Sequence, residues 1–186
     1  MSTTGTDPLA AQRDDEIFDV VNDRDEVVGQ ATRAEVHKRR LLHRAVHVLV
    51  FGADGRVFLQ QRSRLKDTSP GLWNSSCSGH LDTSESYDVA AVRELKEEIG
   101  LMVTPLTRLT RVLKLEPCRE TGWEFAWIYT AHGDGPFTLH PAEVERGEWR
   151  TVDEVTRAIA ERSGEFSRAF AYLWPKFLAA SGVKGV

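Results

Sequence analysis

Three glutamates inside one turn of a single amphipathic segment constrain this chain more than any other feature. From Gly79 to Leu101 the sequence reads GHLDTSESYDVAAVRELKEEIGL. Thr83 or Ser84 can cap a helix there, Gly100 can end it, and no proline interrupts it. At about 100° per residue, Val89, Val92, Leu95 and Ile99 are expected on one side. Glu94, Glu97 and Glu98, spaced i, i+3 and i+4, are then expected to project together from the opposite side. Three such carboxylates repel one another, and the last two lie near the helix carboxyl end, where the dipole also disfavours anions. A solvated acidic face tolerates this arrangement. So does a bound cation, because hard divalent ions take oxygen ligands, and Mg²⁺ is usually held by a few carboxylates plus substrate phosphates. Arg93 stands beside the three and can orient a carboxylate or touch substrate.

The flanking sequence supplies strands and further helices. Ile17–Val21 and Val27–Ala31, separated by the turn-forming run Asn22–Glu26, predict a β-hairpin. Thr32 to Arg40 predicts a short helix capped by Thr32. Val46–Phe51 and Arg56–Arg62 flank Asp54-Gly55, a second hairpin signal. Thr110–Leu115 and Trp123–Tyr129 read as strands, and Asp153–Ala160 and Ser167–Ala179 as helices. A mixed α/β domain follows. The 186 residues are 41% hydrophobic and 28% charged, enough for one core without disulfide or metal staples. Met1 to Asp14 is expected to be a disordered lead-in, with residues 15–186 forming one domain.

With that frame in place, the segment is similar at every fixed position to the signature of the Nudix hydrolases. That signature is Gly, five residues, Glu, seven residues, Arg-Glu-aliphatic, one residue, Glu-Glu, one residue, Gly-aliphatic. Gly79, Glu85, Arg93, Glu94, Leu95, Glu97, Glu98, Gly100 and Leu101 fill it. The resemblance implies an α/β/α sandwich with a mixed sheet, and metal-dependent hydrolysis of a diphosphate joined to another group. It implies that Glu94, Glu97 and Glu98, with the Gly79 carbonyl, hold Mg²⁺ or Mn²⁺. Arg93 and Glu85 then brace the loop. The proton of the attacking water goes to Glu97, Glu98 or an acid of the segment Glu143–Glu148, for whose acids a surface-loop position is expected.

The chain also resembles the type 1 isopentenyl-diphosphate isomerases, which share that fold, from about Phe18 to Trp149. The likeness is carried by Leu42-His43-Arg44-Ala45, by Gln61-Arg62 with Lys66, and by Pro70-Gly71-Leu72-Trp73 leading into Cys77-Ser78-Gly79-His80. It implies metal ligands at His43 and His80, diphosphate contacts at Arg62 and Lys66, and a strand glutamate at Glu124. His37 and Arg33 match less well, because one residue fewer separates His37 from His43. Ser78 stands where the isomerases have their proton-moving cysteine, with Cys77 adjacent, and Gly122 stands where a second acid is expected. A hydroxyl lacks thiolate chemistry. The isomerase apparatus is therefore broken and the hydrolase signature whole. Hydrolysis is the leading expectation, isomerisation the alternative, and a non-catalytic diphosphate- or RNA-sensing module a third.

Partners follow from charge and pattern. Lys+Arg of 24 against Asp+Glu of 28 gives a net charge of −4, so no nucleic-acid partner is expected. The one dense basic run, His37–Arg40 with Arg44, lacks interleaved aromatics. No apolar run is long enough to span a membrane, and two cysteines form no disulfide framework, which fits a cytoplasmic setting. Trp123, Phe125, Trp127 and Tyr129 alternate onto one strand face, a stripe that suits core packing or a homodimer interface. Trp149 and Trp174 are expected to pack, and Cys118 to be inert.

Overall fold

The computed structural model describes residues 12–105 and 107–183. Most of the expected lead-in, residues 1–11, lies outside them. Of its remainder, the Gln12 side chain accepts the Asp67 N–H and Asp14 pairs with Arg33.

The N-terminal hairpin forms as expected: β1 (Ile17–Val21) pairs antiparallel with β2 (Val27–Thr32) in a sheet of its own. Asp25 turns it at φ +62°, in the left-handed region that Asn and Asp tolerate best among side chains with a Cβ. That residue also fastens the hairpin to the body. Its carboxylate receives Arg44, Lys114 and the Tyr87 hydroxyl. Helix α1 (Arg33–Arg39) follows, with the Thr32 hydroxyl accepting the Glu35 N–H.

A seven-stranded mixed sheet carries the rest. Its path runs β5 (Trp73–Asn74), β4 (Val57–Arg62), β3 (His43–Phe51), β8 (Glu124–His132) and β7 (Thr110–Leu115). Off that path, β6 (Cys77–His80) pairs with β3, and β9 (Val144–Arg150) pairs with β4. The β3–β8 pair is parallel, the others antiparallel. β9 was not expected. Residues 144–148 form strand where a loop was read, because pairing with β4 makes a strand of a charged run that has no apolar alternation. Gly147 sits against Phe58 so closely that a Cβ there would lie 2.0 Å from the ring.

Helices cover both faces. Leu49, Leu59 and Ile128 face Leu173, Trp174 and Phe177 of α4 (Arg168–Ser181) and Val155 of α3 (Val152–Arg162). On the opposite face Val46, Val48, Val50 and Tyr129 meet Ala90, Ala91, Leu95 and Ile99 of α2 (Tyr87–Ile99). Each fully buried leucine or valine contributes about 1.5–3 kcal/mol. The result is the expected α/β/α sandwich. Among the described residues no helix is long and apolar enough to cross a membrane.

The aromatic stripe divides as read, with one change. Phe125, Trp127 and Tyr129 pack on the α2 side, and Ala126 and Ile128 on the other. Trp123 precedes the strand at φ +71°, next to Gly122 at φ +75°, and so leaves the alternation.

Candidate active site

Helix α2 is the central piece, and its ends are chemically specified. Ser86 caps it by accepting the Val89 N–H, two residues beyond the expected Ser84 and three beyond Thr83. Ser84 instead adopts φ +64° and gives its N–H to Asp19 of the hairpin. Gly100 closes the helix at φ +70°. The helix faces differ from the expectation. Val89 and Val92 are exposed, whereas Glu94 and Glu98 are buried beside Ala91 and Leu95. Glu97 is the exposed member of the acidic set. The three carboxylates therefore fan from the sheet-facing edge outward and do not share a solvent face. Small Ala90 and Ala91, not the valines, let the helix approach the sheet.

Arg93 binds this edge together. Its Nε and Nη2 donate to the two oxygens of Glu85 at 3.0 and 2.8 Å. Nη1 donates to Glu94 at 2.7 Å and Glu97 at 3.1 Å, and Nη2 to the His80 carbonyl at 2.9 Å. Burial opposes its charge, but these carboxylates outweigh burial and hold the guanidinium firmly protonated. Glu85 in turn accepts the Asp82 N–H, which shapes the loop before the helix.

Glu98 is oriented from the sheet. Its Oε2 accepts the Gln60 side-chain amide at 2.9 Å and the Ser78 N–H at 3.0 Å. Sequence reading missed Gln60, a glutamine on β4 that is only 1% exposed. Burial raises the pKa of both Glu94 and Glu98. The nearby Glu98 charge adds to the shift at Glu94, while Lys66 opposes it at Glu98. Two buried carboxylates one turn apart, held by donors on only part of their oxygen surface, form an oxygen-only donor set that suits a hard cation.

A second constellation sits beside the first. His37 of α1, His43 of β3 and His80 of β6 bring nitrogen atoms within 4.8 Å of one another. The His43 Nδ1 lies 2.9 Å from the Leu41 carbonyl, which can only accept, so Nδ1 carries a proton. Nε2 of His37 and Nε2 of His43 are buried without a hydrogen-bond partner. Glu124 lies 3.0 Å from His80 Nε2 and 3.4 Å from His43 Nε2. Burial works against ionisation of Glu124, and the imidazoles facing it overcome that, holding its carboxyl well below the usual range. Burial and the neighbouring imidazoles lower His37 to about 4, so it is neutral at physiological pH. Phe18 of the hairpin walls the group, its ring 4.6 Å from His80 and 5.9 Å from His43. The shorter spacing of His37 from His43 thus does not keep it from the cluster.

Both constellations open into one cavity of about 860 Å³. Gly79, His80, Arg93, Glu94, Glu97, Glu98, Arg62, Lys66 and Glu124 all line it, whereas His43 and Glu85, also singled out from the sequence, are not among its lining residues. Arg62 bonds the Thr68 carbonyl and hydroxyl, and Lys66 forms an ion pair with Glu143. Ser78 also lines the cavity, its hydroxyl accepting from Asn74 at 2.9 Å. Cys77 does not. It is fully buried in the core under α2, and burial pushes its thiol pKa well up. Adjacent strand residues point oppositely, so Ser78 and Cys77 cannot exchange places.

The NUDIX domain model matches residues 41–170. This chain belongs to the Nudix hydrolase family. It is 31% identical over 162 residues to the Nudix hydrolase YfcD of Escherichia coli, covering 87% of each chain. It is 33% identical over 158 residues to an isopentenyl-diphosphate Delta-isomerase of Serratia proteamaculans, covering 82% of this chain and 86% of that one. Among solved structures, DR0079 of Deinococcus radiodurans superposes with a TM-score of 0.76 at 27% identity, covering 87% of this chain and 98% of that one. The N-terminal hairpin precedes the matched residues, yet it packs Phe18 against His43 and His80 of this hydrolase.

Proposed function

We propose that this Nudix hydrolase cleaves the diphosphate bond of a small organic diphosphate, water attacking phosphorus beside Mg²⁺ or Mn²⁺ held by Glu94, Glu97, Glu98 and the Gly79 carbonyl. One observation carries the reading: a complete set of carboxylates, two of them buried and braced by Arg93 and Gln60, faces a cavity that also holds cationic side chains. Such a cation, when bound, offsets diphosphate charge, stabilises charge at phosphorus and lowers the pKa of water.

The protein's own groups do the rest. Arg62 and Lys66 hold the diphosphate from β4 and the loop beyond it. His80 and Glu124 contact the substrate. Arg93 keeps Glu94 and Glu97 in register. The water's proton passes to Glu97, Glu98 or Glu143. Of the later acids Glu143 alone lines the cavity among the described residues, while Glu145 pairs with Arg64 and Glu148 with Arg146 and Arg150.

The histidine cluster favours a second reading, isopentenyl-diphosphate isomerisation, since His37, His43, His80 and Glu124 also suit a cation. Ser78, the buried Cys77 and Gly122 stand against it. Hydrolysis of a diphosphate panel with Mg²⁺ or Mn²⁺, run beside an isopentenyl-to-dimethylallyl conversion, separates the two. Metal-dependent hydrolysis lost in Glu97→Gln supports the first, and isomerisation without hydrolysis the second.

A further inference from the structure

We propose that Arg119 and Arg168 form a second anion-reading subsite in the cavity, one that selects substrates bearing an additional phosphate or carboxylate on the group attached to the diphosphate. The inference rests on the hydrolase reading and names a substrate class within it.

The cavity's cations differ in their partners. Arg33 and Arg93 are committed to carboxylates, Arg33 to Asp67 at 2.6 Å and Arg93 to Glu85 and Glu94, while Lys66, placed at the diphosphate, also pairs with Glu143. Arg62, Arg119 and Arg168 also line it and form no ion pair among the described residues. Arg62 lies beside the Lys66 loop, where the diphosphate is placed. Arg119 and Arg168 belong to different elements, the β7–β8 connection and the first position of α4.

Both side chains line that cavity. Tyr172, one turn beyond Arg168, lies against Cys118, the neighbour of Arg119. Both backbones are fixed. Thr121, 4% exposed, accepts the Cys118 N–H through its hydroxyl at 2.9 Å and donates back to the Cys118 carbonyl, while Trp123 N–H bonds that same carbonyl. At the start of α4, Ser167 is buried, donates its hydroxyl to Asn74 at 2.9 Å and gives its N–H to the Trp73 carbonyl. The side chains thus project from preset positions, which lowers the ordering cost of binding. Glu120 lines the cavity too, without pairing to Arg119. Cations that line a cavity without an ion pair are open to a substrate anion, and the planar guanidinium fork matches phosphate or carboxylate oxygens.

The test compares matched substrates that differ by one anionic group: NADPH with NADH, coenzyme A with dephospho-coenzyme A, and UDP-glucuronate with UDP-glucose. In the wild-type enzyme with Mn²⁺, kcat/KM for the charged member is expected to exceed its partner's by about tenfold in at least one pair. In the Arg119→Ala, Arg168→Ala double variant that ratio falls to within about twofold, while Arg168→Lys keeps part of it. The ratio on one preparation is insensitive to a general loss of folded enzyme. Preference in the first two pairs identifies a phosphate, and in the third a carboxylate. Hydrolysis without preference, or a preference untouched in the double variant, overturns this proposal alone. No metal-dependent hydrolysis of any member overturns the hydrolase reading and the substrate class with it.

Discussion

A Cβ on Gly79 would lie 1.9 Å from Oε1 of Glu94. The glycine is paired with Val46 in the sheet, and Arg93 holds the glutamate, so neither can withdraw freely. Gly79→Ala is therefore expected to displace Glu94 and lower kcat by about 100-fold, the cost typical of a misplacement near 1 Å. Overpacking of this kind also costs about 1–3 kcal/mol of stability. Steady-state hydrolysis and urea denaturation on the same variant check both. Wild-type kcat in Gly79→Ala contradicts the close packing.

Glu98→Gln separates stability from function. The amide keeps the shape and can still accept from Gln60 and Ser78 through its oxygen, but it removes one of two buried like charges. Metal-free stability is expected to rise by about 1 kcal/mol, while activity falls. In the wild type, Mn²⁺ at 100 times its Kd adds about 2.7 kcal/mol, and this gain is expected to vanish in the variant. Thermal unfolding with Mn²⁺ and with EDTA reads both quantities.

Arg93→Lys tests the fork. Lysine keeps the charge but cannot serve Glu85, Glu94, Glu97 and the His80 carbonyl together. Loss of about 3 kcal/mol is expected, with a fall in kcat larger than any rise in KM, because the bracing acts on the carboxylates. An unchanged kcat counts against a bracing role.

Asp25 sets a pH-dependent tether on the hairpin. Burial raises its pKa, and the hydrogen bonds from Lys114, Arg44 and Tyr87 more than offset this, so the folded value lies below the usual 3.8. A depressed carboxyl pKa stabilises the fold above the unfolded value and loses that contribution as pH falls through the folded one. Asp25→Asn preserves the left-handed turn and is expected to cost about 1–2 kcal/mol at pH 7. The gap from wild type is expected to close below about pH 4. Urea denaturation at pH 7, 5 and 3 measures it, and a constant gap argues against the ionic tether.

What the sequence made legible here is uneven, and the reasons are physical. The helix, its Gly100 end and the i, i+3, i+4 glutamates are local properties, and they stand. The helix face was misread because periodicity assigns valines to the core and acids to solvent. A metal-type site inverts that order at Glu94 and Glu98, as functional sites commonly do. Strand β9 was missed because Glu145, Arg146 and Glu148 give no apolar alternation, and only pairing with β4 reveals the strand. Gln60 and Phe18 carried no local signal: each matters through a partner far along the chain, Glu98 for one and the histidines for the other. Gly79, Arg93, Glu94, Glu97 and Glu98, whose spacing the signature specified, line one cavity with Arg62, Lys66, His80 and Glu124, which the second resemblance pointed to; His43 is not among the lining residues.

The most direct test of the account is phosphate-bond cleavage by the wild type, Glu97→Gln and Glu98→Gln with Mg²⁺ or Mn²⁺, assayed in parallel with isopentenyl-to-dimethylallyl conversion. The account predicts metal-dependent hydrolysis by the wild type, its loss in both variants, and no isomerisation. Isomerisation without hydrolysis would contradict it, placing the chemistry at the histidine cluster and not at the α2 carboxylates.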